Sequence, residues 1–336
     1  MAQEAKAAGY RAVLFKSNDF SCHDRAYLLR QAVPGIELFG SIVLNRATGA
    51  TLNTYAVEKA LATTGNLCRT VWMPTLDAEY AVRTFKQNTP FIRVSDGNGK
   101  LLPETLHIME LCAQTDVAFA TGHSSPTESL LMAQAAHDMG FKKCIITHPN
   151  ALIWKMSPAQ LERAASLGAW IEFCYLGRFW GEDSAMPTYP RQSLQEATEI
   201  LRVAPERTFI TTDLGQVGMP RPVAGMRQAH NELLKAGFSA ASLKSMLSDT
   251  PAYLIGLEKK PVPRRPRKTA QRRPFCKRQA FPPYTCYPNS FLIPQRWRRC
   301  FWLSHIATSF GVEVSNESSF DGRHGLHRLA YGRMSD

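Results

Sequence analysis

Short apolar runs of four to eight residues recur through the first 213 positions, each closing on a polar or small residue and each followed by an amphipathic stretch. These runs predict strands at 11–16, 38–45, 70–74, 117–123, 144–149, 170–175 and 208–213. They are apolar on both faces, as strands of a parallel sheet covered by helices must be.

The helices between them carry start and stop signals that do not depend on hydrophobicity. Ser125-Pro126-Thr127-Glu128 places an N-cap serine, a first-turn proline and a third-position glutamate in capping-box order, and Ser157-Pro158-Ala159-Gln160 repeats the arrangement. Gly140 and Gly168 stand where the ensuing helices should stop. Within the longer gap between Pro74 and Val117, residues 91–100 predict a small hairpin ahead of a further helix.

Seven βα units predict an α/β chain of the (β/α)8 barrel type, incomplete by one strand. Residues 2–8 look like the end of a helix that would follow an earlier strand, so the first strand is expected to be the missing one. A doubly wound open sheet is the competing architecture, because alternation alone does not separate the two.

In a parallel barrel the carboxyl ends of the strands converge on one mouth, which is where catalytic groups belong. The closing residues of these runs are polar: Lys16, Asn45, His123, His148 and Asp213, with Glu172 inside the run 170–173. One histidine at a strand end is usually an ordinary hydrogen-bonded residue. Histidine and aspartate at three separate ends make a metal set, since imidazole nitrogen and carboxylate oxygen are the usual ligands of a catalytic zinc.

The succession Thr121-Gly122-His123, Thr147-His148-Pro149 and Thr212-Asp213-Leu214-Gly215-Gln216 resembles the amidohydrolase superfamily, and within it a branch of metal-dependent barrels. The resemblance spans approximately residues 7–257. It includes Ala8-Gly9-Tyr10-Arg11-Ala12, Val71-Trp72-Met73-Pro74-Thr75 and the closing segment 250–257. It implies a fifth-strand histidine at His123, a sixth-strand histidine at His148 and an eighth-strand aspartate at Asp213. By analogy the histidines bind a divalent metal, zinc before manganese, while Asp213 binds metal or takes a proton from the attacking water.

Two departures accompany the resemblance. The superfamily's first-strand HxH pair has no counterpart, and Asn18 stands where relatives of this branch carry a histidine two residues after the lysine, in Lys16-Ser17-Asn18. Lys16 is a candidate catalytic residue as an anion anchor or a modified bridging ligand, against the plainer reading of a charge reaching solvent. Glu172, a second candidate, points either into the mouth or at a neighbouring arginine. The expected activity is hydrolysis of a small amide, ester or lactone by metal-activated water, impaired by the missing ligands. The alternatives are a non-catalytic barrel remnant serving as a binding scaffold, and nucleic-acid binding through the tail.

Charge separates that tail from the rest. The chain's 336 residues carry a net charge of +12, but of 40 basic and 28 acidic residues 16 and 5 lie from Glu258 onward, leaving 24 against 23 in 1–257. The barrel domain, 1–257, is thus near neutral, and nucleic acid is not an expected partner for it. In 258–336 the periodicity stops at proline-broken basic clusters such as Pro261-Val262-Pro263-Arg264-Arg265, a composition that predicts disorder. Trp297 and Trp302 could stack on bases. The abrupt change after a complete domain ending instead favours a frame-shifted or spliced-in segment. The eight cysteines occur singly, with no CxxC pair and no secretory signal ahead of them, which predicts reduced thiols and a cytoplasmic setting. No apolar run reaches membrane-spanning length. A small-molecule substrate and a homo-oligomer formed through the open sheet edge complete the expectations.

Overall fold

In a computed structural model, which describes residues 1–151 and 154–257, all seven predicted strands form. They are β1 (Ala12–Leu14), β2 (Glu37–Val43), β3 (Cys68–Trp72), β4 (Ala118–Ala120), β5 (Cys144–Ile146), β6 (Trp170–Cys174) and β7 (Thr208–Thr211). The segment 258–336, with its expected disorder, lies outside the described residues.

The strands pair in parallel and in strict sequence order from β1 to β7. A doubly wound sheet must reverse its strand order at a switch point, so this order decides for the barrel. Seven strands leave the barrel incomplete, as expected. Among the described residues no pairing joins β7 to β1.

Side chains alternate between two layers along each strand, because successive Cβ atoms point to opposite faces. Val43, Trp72, Ala118, Ala120, Ile145, Trp170 and Phe209 meet one another in the barrel interior, joined by Leu254. Their neighbours in sequence point outward: Ile42, Val71, Phe119 and Cys144 under one group of helices, Phe173 and Ile210 under another. The same alternation, carried past each strand's last interior residue, turns Asn45, Glu172, Cys174, Thr211 and Asp213 inward.

The covering helices are α1 (Ala2–Ala7), α2 (His23–Ala32), α3 (Thr54–Ala62), α4 (Glu79–Thr84), α5 (Pro103–Thr115), α6 (Pro126–Asp138), α7 (Pro158–Ser166), α8 (Leu194–Val203), α9 (Pro222–Lys235), α10 (Ala240–Lys244) and α11 (Thr250–Leu254). Both predicted capping boxes are present at α6 and α7, and α8 has a third, Ser193 with Glu196. Ser125→Ala is expected to cost about 1 kcal/mol through the lost cap, lowering the melting temperature by roughly 2–4 °C; thermal unfolding followed by circular dichroism checks it.

The predicted hairpin at 91–100 shrinks to one antiparallel bridge, Ser95 to Leu101, while Ile92 bridges in parallel to Ala78. The cause is local: the Asp96 carboxylate accepts hydrogen bonds from the N–H of Asn98 at 2.8 Å and of Lys100 at 3.1 Å, drawing the chain into a tight turn. The two ends of the described fold meet where Val223 of α9 packs with Ala2, Ala5 and Phe15, beside an Arg221–Glu4 salt bridge of 2.7 Å.

Candidate active site

The carboxyl ends of β5, β6 and β7 bring His148, Glu172, Cys174 and Asp213 together. His148 follows β5 with φ at +42° and Asp213 follows β7 with φ at +47°. Both are in the left-handed region, which non-glycine residues seldom occupy and which clusters at functional sites. This turn swings His148 into the mouth. Its Nδ1 lies 3.2 Å from Glu172 Oε2 and its Nε2 3.7 Å from Asp213 Oδ2. Neither approach has hydrogen-bond geometry, so both ring nitrogens of this buried histidine are without a hydrogen-bond partner, as is Glu172 Oε2.

Glu172 is held by its other oxygen, Oε1, which accepts a hydrogen bond of 3.0 Å from Thr211 Oγ1 on the neighbouring strand. It therefore faces the mouth and not an arginine. Cys174 is fixed through its backbone: its N–H donates to Asn150 Oδ1 at 3.0 Å and its carbonyl accepts from Asn150 Nδ2 at 2.8 Å. Ligand atoms of His148, Cys174 and Asp213 all lie within 4.8 Å of one another.

Lys16 reaches into the site, with Nζ 3.6 Å from Asp213 Oδ1 and 5.0 Å from the centre of the Trp72 ring. The plainer reading of a charge reaching solvent therefore does not describe it. His123 stands one step away, its ring 5.7 Å from that of His148 and stacked on Trp154 at 4.0 Å. Its Nδ1 is buried without a partner. Asn45 and Asn18 are bound into structure instead. Asn45 Nδ2 donates to Thr75 Oγ1 at 2.7 Å and to the Asn18 carbonyl at 3.0 Å, and Thr75 Oγ1 donates to Asn18 Oδ1 at 3.1 Å. This network ties together the loops that follow β1, β2 and β3.

The two histidines are pushed in opposite directions. Burial lowers the pKa of His123 well below the ordinary imidazole value, and the charges of His148 and Lys16 add to the effect, so its ring is neutral with a free lone pair. Burial acts the same way on His148, but the charges of Glu172 and Cys174 outweigh it and raise His148 to about 10. Burial also raises the Cys174 thiol, against the pull of His148.

The family described as a family of unknown function, DUF6282, matches residues 1–172. The chain belongs to it. The DUF6282 match takes in Lys16, His123, His148 and Glu172, whereas Cys174 and Asp213 lie beyond it. No curated protein matches the chain by sequence. Among solved structures, a mutant PTE-like lactonase from Deinococcus radiodurans aligns with a TM-score of 0.52 at 15% identity, covering 76% of this chain and 84% of that one. An organophosphorus hydrolase from the same organism aligns with a TM-score of 0.51 at 14% identity, covering 76% and 81%. At such identity the likeness is one of fold alone, an incomplete parallel (β/α) barrel.

The donor chemistry fits a divalent metal. A buried imidazole whose nitrogens approach carboxylates without hydrogen-bonding them, a thiol and two carboxylates face one another, with Lys16 close by as an opposing charge. Ligand atoms around a tetrahedral zinc lie roughly 3–4 Å apart, given bonds of about 2.0–2.3 Å. The present spacing is thus close to that of a closed set.

The closing-residue rule singled out five of the groups near this mouth and missed Cys174, Trp154 and Thr75. Cys174 had a readable signal, since it lies two residues after Glu172 on the same strand face.

Proposed function

We propose that the chain is a metal-dependent hydrolase of small amides, esters or lactones. The observation that carries this reading is the convergence of His148, Asp213 and Glu172 at the ends of three adjacent strands, with His148 buried and its Nε2 lacking a hydrogen bond. Likeness in fold to a PTE-like lactonase and an organophosphorus hydrolase supports the hydrolytic class and adds phosphotriesters to the substrates worth testing.

His148 and Asp213 would hold the ion, with His123 as a neutral imidazole nearby. When bound, a divalent ion supplies Lewis acidity toward the scissile group and makes water ionise near neutral pH. Asp213 would take the proton of the attacking water, a role supported by its part-exposed carboxylate at the mouth, 3.6 Å from Lys16. Glu172 sets the orientation of the His148 ring from the Nδ1 side. Lys16 offers its ammonium to an anionic group of the substrate or to charge developing on it. Trp72 and Trp154 wall the site with apolar surface, which strengthens each of these electrostatic contacts.

The five described cysteines are free and buried, which fits a reducing, cytoplasmic setting. No helix of the described residues is long and apolar enough to cross a membrane.

The test is turnover by the full chain. Metal-free protein reconstituted with zinc or manganese should hydrolyse members of a panel of lactones, aryl esters, amides and phosphotriesters, and a chelator should abolish the activity. One equivalent of bound metal with no turnover across the panel would leave the binding scaffold as the better description.

A further inference from the structure

Glu172 and Cys174 occupy alternate positions of β6 and so share its inward face, while Phe173 between them is buried under the helices. Their placement differs in kind. Glu172 Oε2 approaches the far nitrogen of His148, Nδ1, whereas Cys174 belongs to the cluster formed with His148 and Asp213, whose ligand atoms lie within 4.8 Å of one another. Asp213 divides its oxygens likewise: Oδ1 faces Lys16 and Oδ2 faces His148 Nε2. His123, ring-stacked on Trp154, is outside that cluster.

We infer that the metal centre of this chain is a sulfur-containing one, with His148, Cys174 and Asp213 as its protein ligands and Glu172 as the residue that orients His148. The inference rests on the hydrolase reading and makes its metal site specific. A second observation besides the cysteine points to an ion: His148 is 4% exposed, and its Nε2 is buried with no hydrogen-bond partner. Nδ1 and Glu172 Oε2 face each other at 3.2 Å as an ion pair, which leaves Nε2, on the Asp213 side, as the atom that a bound ion would satisfy, since buried polar atoms are nearly always satisfied. The thiol proton leaves to solvent as the sulfur lone pair bonds the ion, since a coordinating thiol is deprotonated outright. Thiolate softness favours zinc, cobalt or cadmium over magnesium and manganese. The carboxylate on the non-ligating nitrogen of a metal-bound histidine fixes ring and tautomer.

Cobalt(II) titration of the metal-free full chain tests this. A near-ultraviolet sulfur-to-cobalt charge-transfer band should grow to one equivalent, and excess manganese should not bleach it. Cys174→Ser should lose the band while keeping the far-ultraviolet dichroism of the parent. Glu172→Gln should keep the band with affinity reduced about 10–100-fold. X-ray absorption of the wild-type zinc form gives a reading that needs no variant, a sulfur scatterer at about 2.3 Å. Stoichiometric metal with no band and only nitrogen or oxygen scatterers, or a band that survives Cys174→Ser, overturns the sulfur centre and leaves the hydrolase reading standing. A folded chain that binds neither cobalt nor zinc overturns both.

Discussion

His148→Ala is expected to abolish stoichiometric metal binding and to destabilise the fold in the same stroke. The imidazole, once its proton is lost to the ion, is the one nitrogen donor in the tight cluster, and in the metal-free chain it is the positive partner facing the buried carboxylate of Glu172, with both side chains 5% exposed. Removing one member of a buried pair leaves the other charge uncompensated, at a cost of about 3–5 kcal/mol. Over a domain of this size that lowers the melting temperature by roughly 6–20 °C. The two consequences separate in the double variant His148→Ala/Glu172→Gln. A neutral amide at 172 should recover much of the stability, and metal should stay absent. Elemental analysis and thermal melts of both variants provide the check. Wild-type metal content in His148→Ala would show that the ion sits elsewhere, and an unchanged melting temperature would show that Glu172 does not depend on the imidazole.

The strands and helix starts were legible because their signals are local. Run length, polar closing residues and the Ser-Pro-x-Glu/Gln boxes each act within a few residues, and tertiary packing did not override them. The placement of Lys16, Glu172 and Asp213 at one mouth follows from the two-residue period of a strand once the barrel is assumed. What was not legible lies in contacts across the sequence and in backbone turns. Nothing local says that Trp154 will stack on a histidine from the end of a different strand, or that Thr75 and Asn45 will claim Asn18. The left-handed turn at His148 decides which way the ring faces, and histidine carries only a weak preference for it. Cys174 was visible in principle. Its meaning comes from sharing a strand face with Glu172 and not from pairing with another cysteine.

Gly122 carries the second large effect, through backbone and not chemistry. Its φ is +63°, and a Cβ built on it would come within 2.3 Å of the Pro74 carbonyl oxygen and 2.4 Å of that of Met73. Real Cβ atoms do not approach backbone so closely, and neither carbonyl can swing aside. The loop after β3 is held there by a 3.0 Å hydrogen bond from the His123 N–H to the Pro74 oxygen, and the Met73 N–H donates to Ala120 at 2.8 Å. Glycine is thus what lets the chain leave β4 beneath the β3 loop and deliver His123 to the mouth. Gly122→Ala adds left-handed strain of about 1–3 kcal/mol to an overpacking cost of similar size. A total of about 2–6 kcal/mol corresponds to a fall in melting temperature of at least roughly 4 °C. Because the loops after β3 and β4 must part to relieve the clash, the Trp154 stack on His123 should loosen too, giving a shift in tryptophan fluorescence below the unfolding transition. A variant that melts with the parent would mean that the β3 loop has room to move, and the close approach at Gly122 would then not be what aims His123.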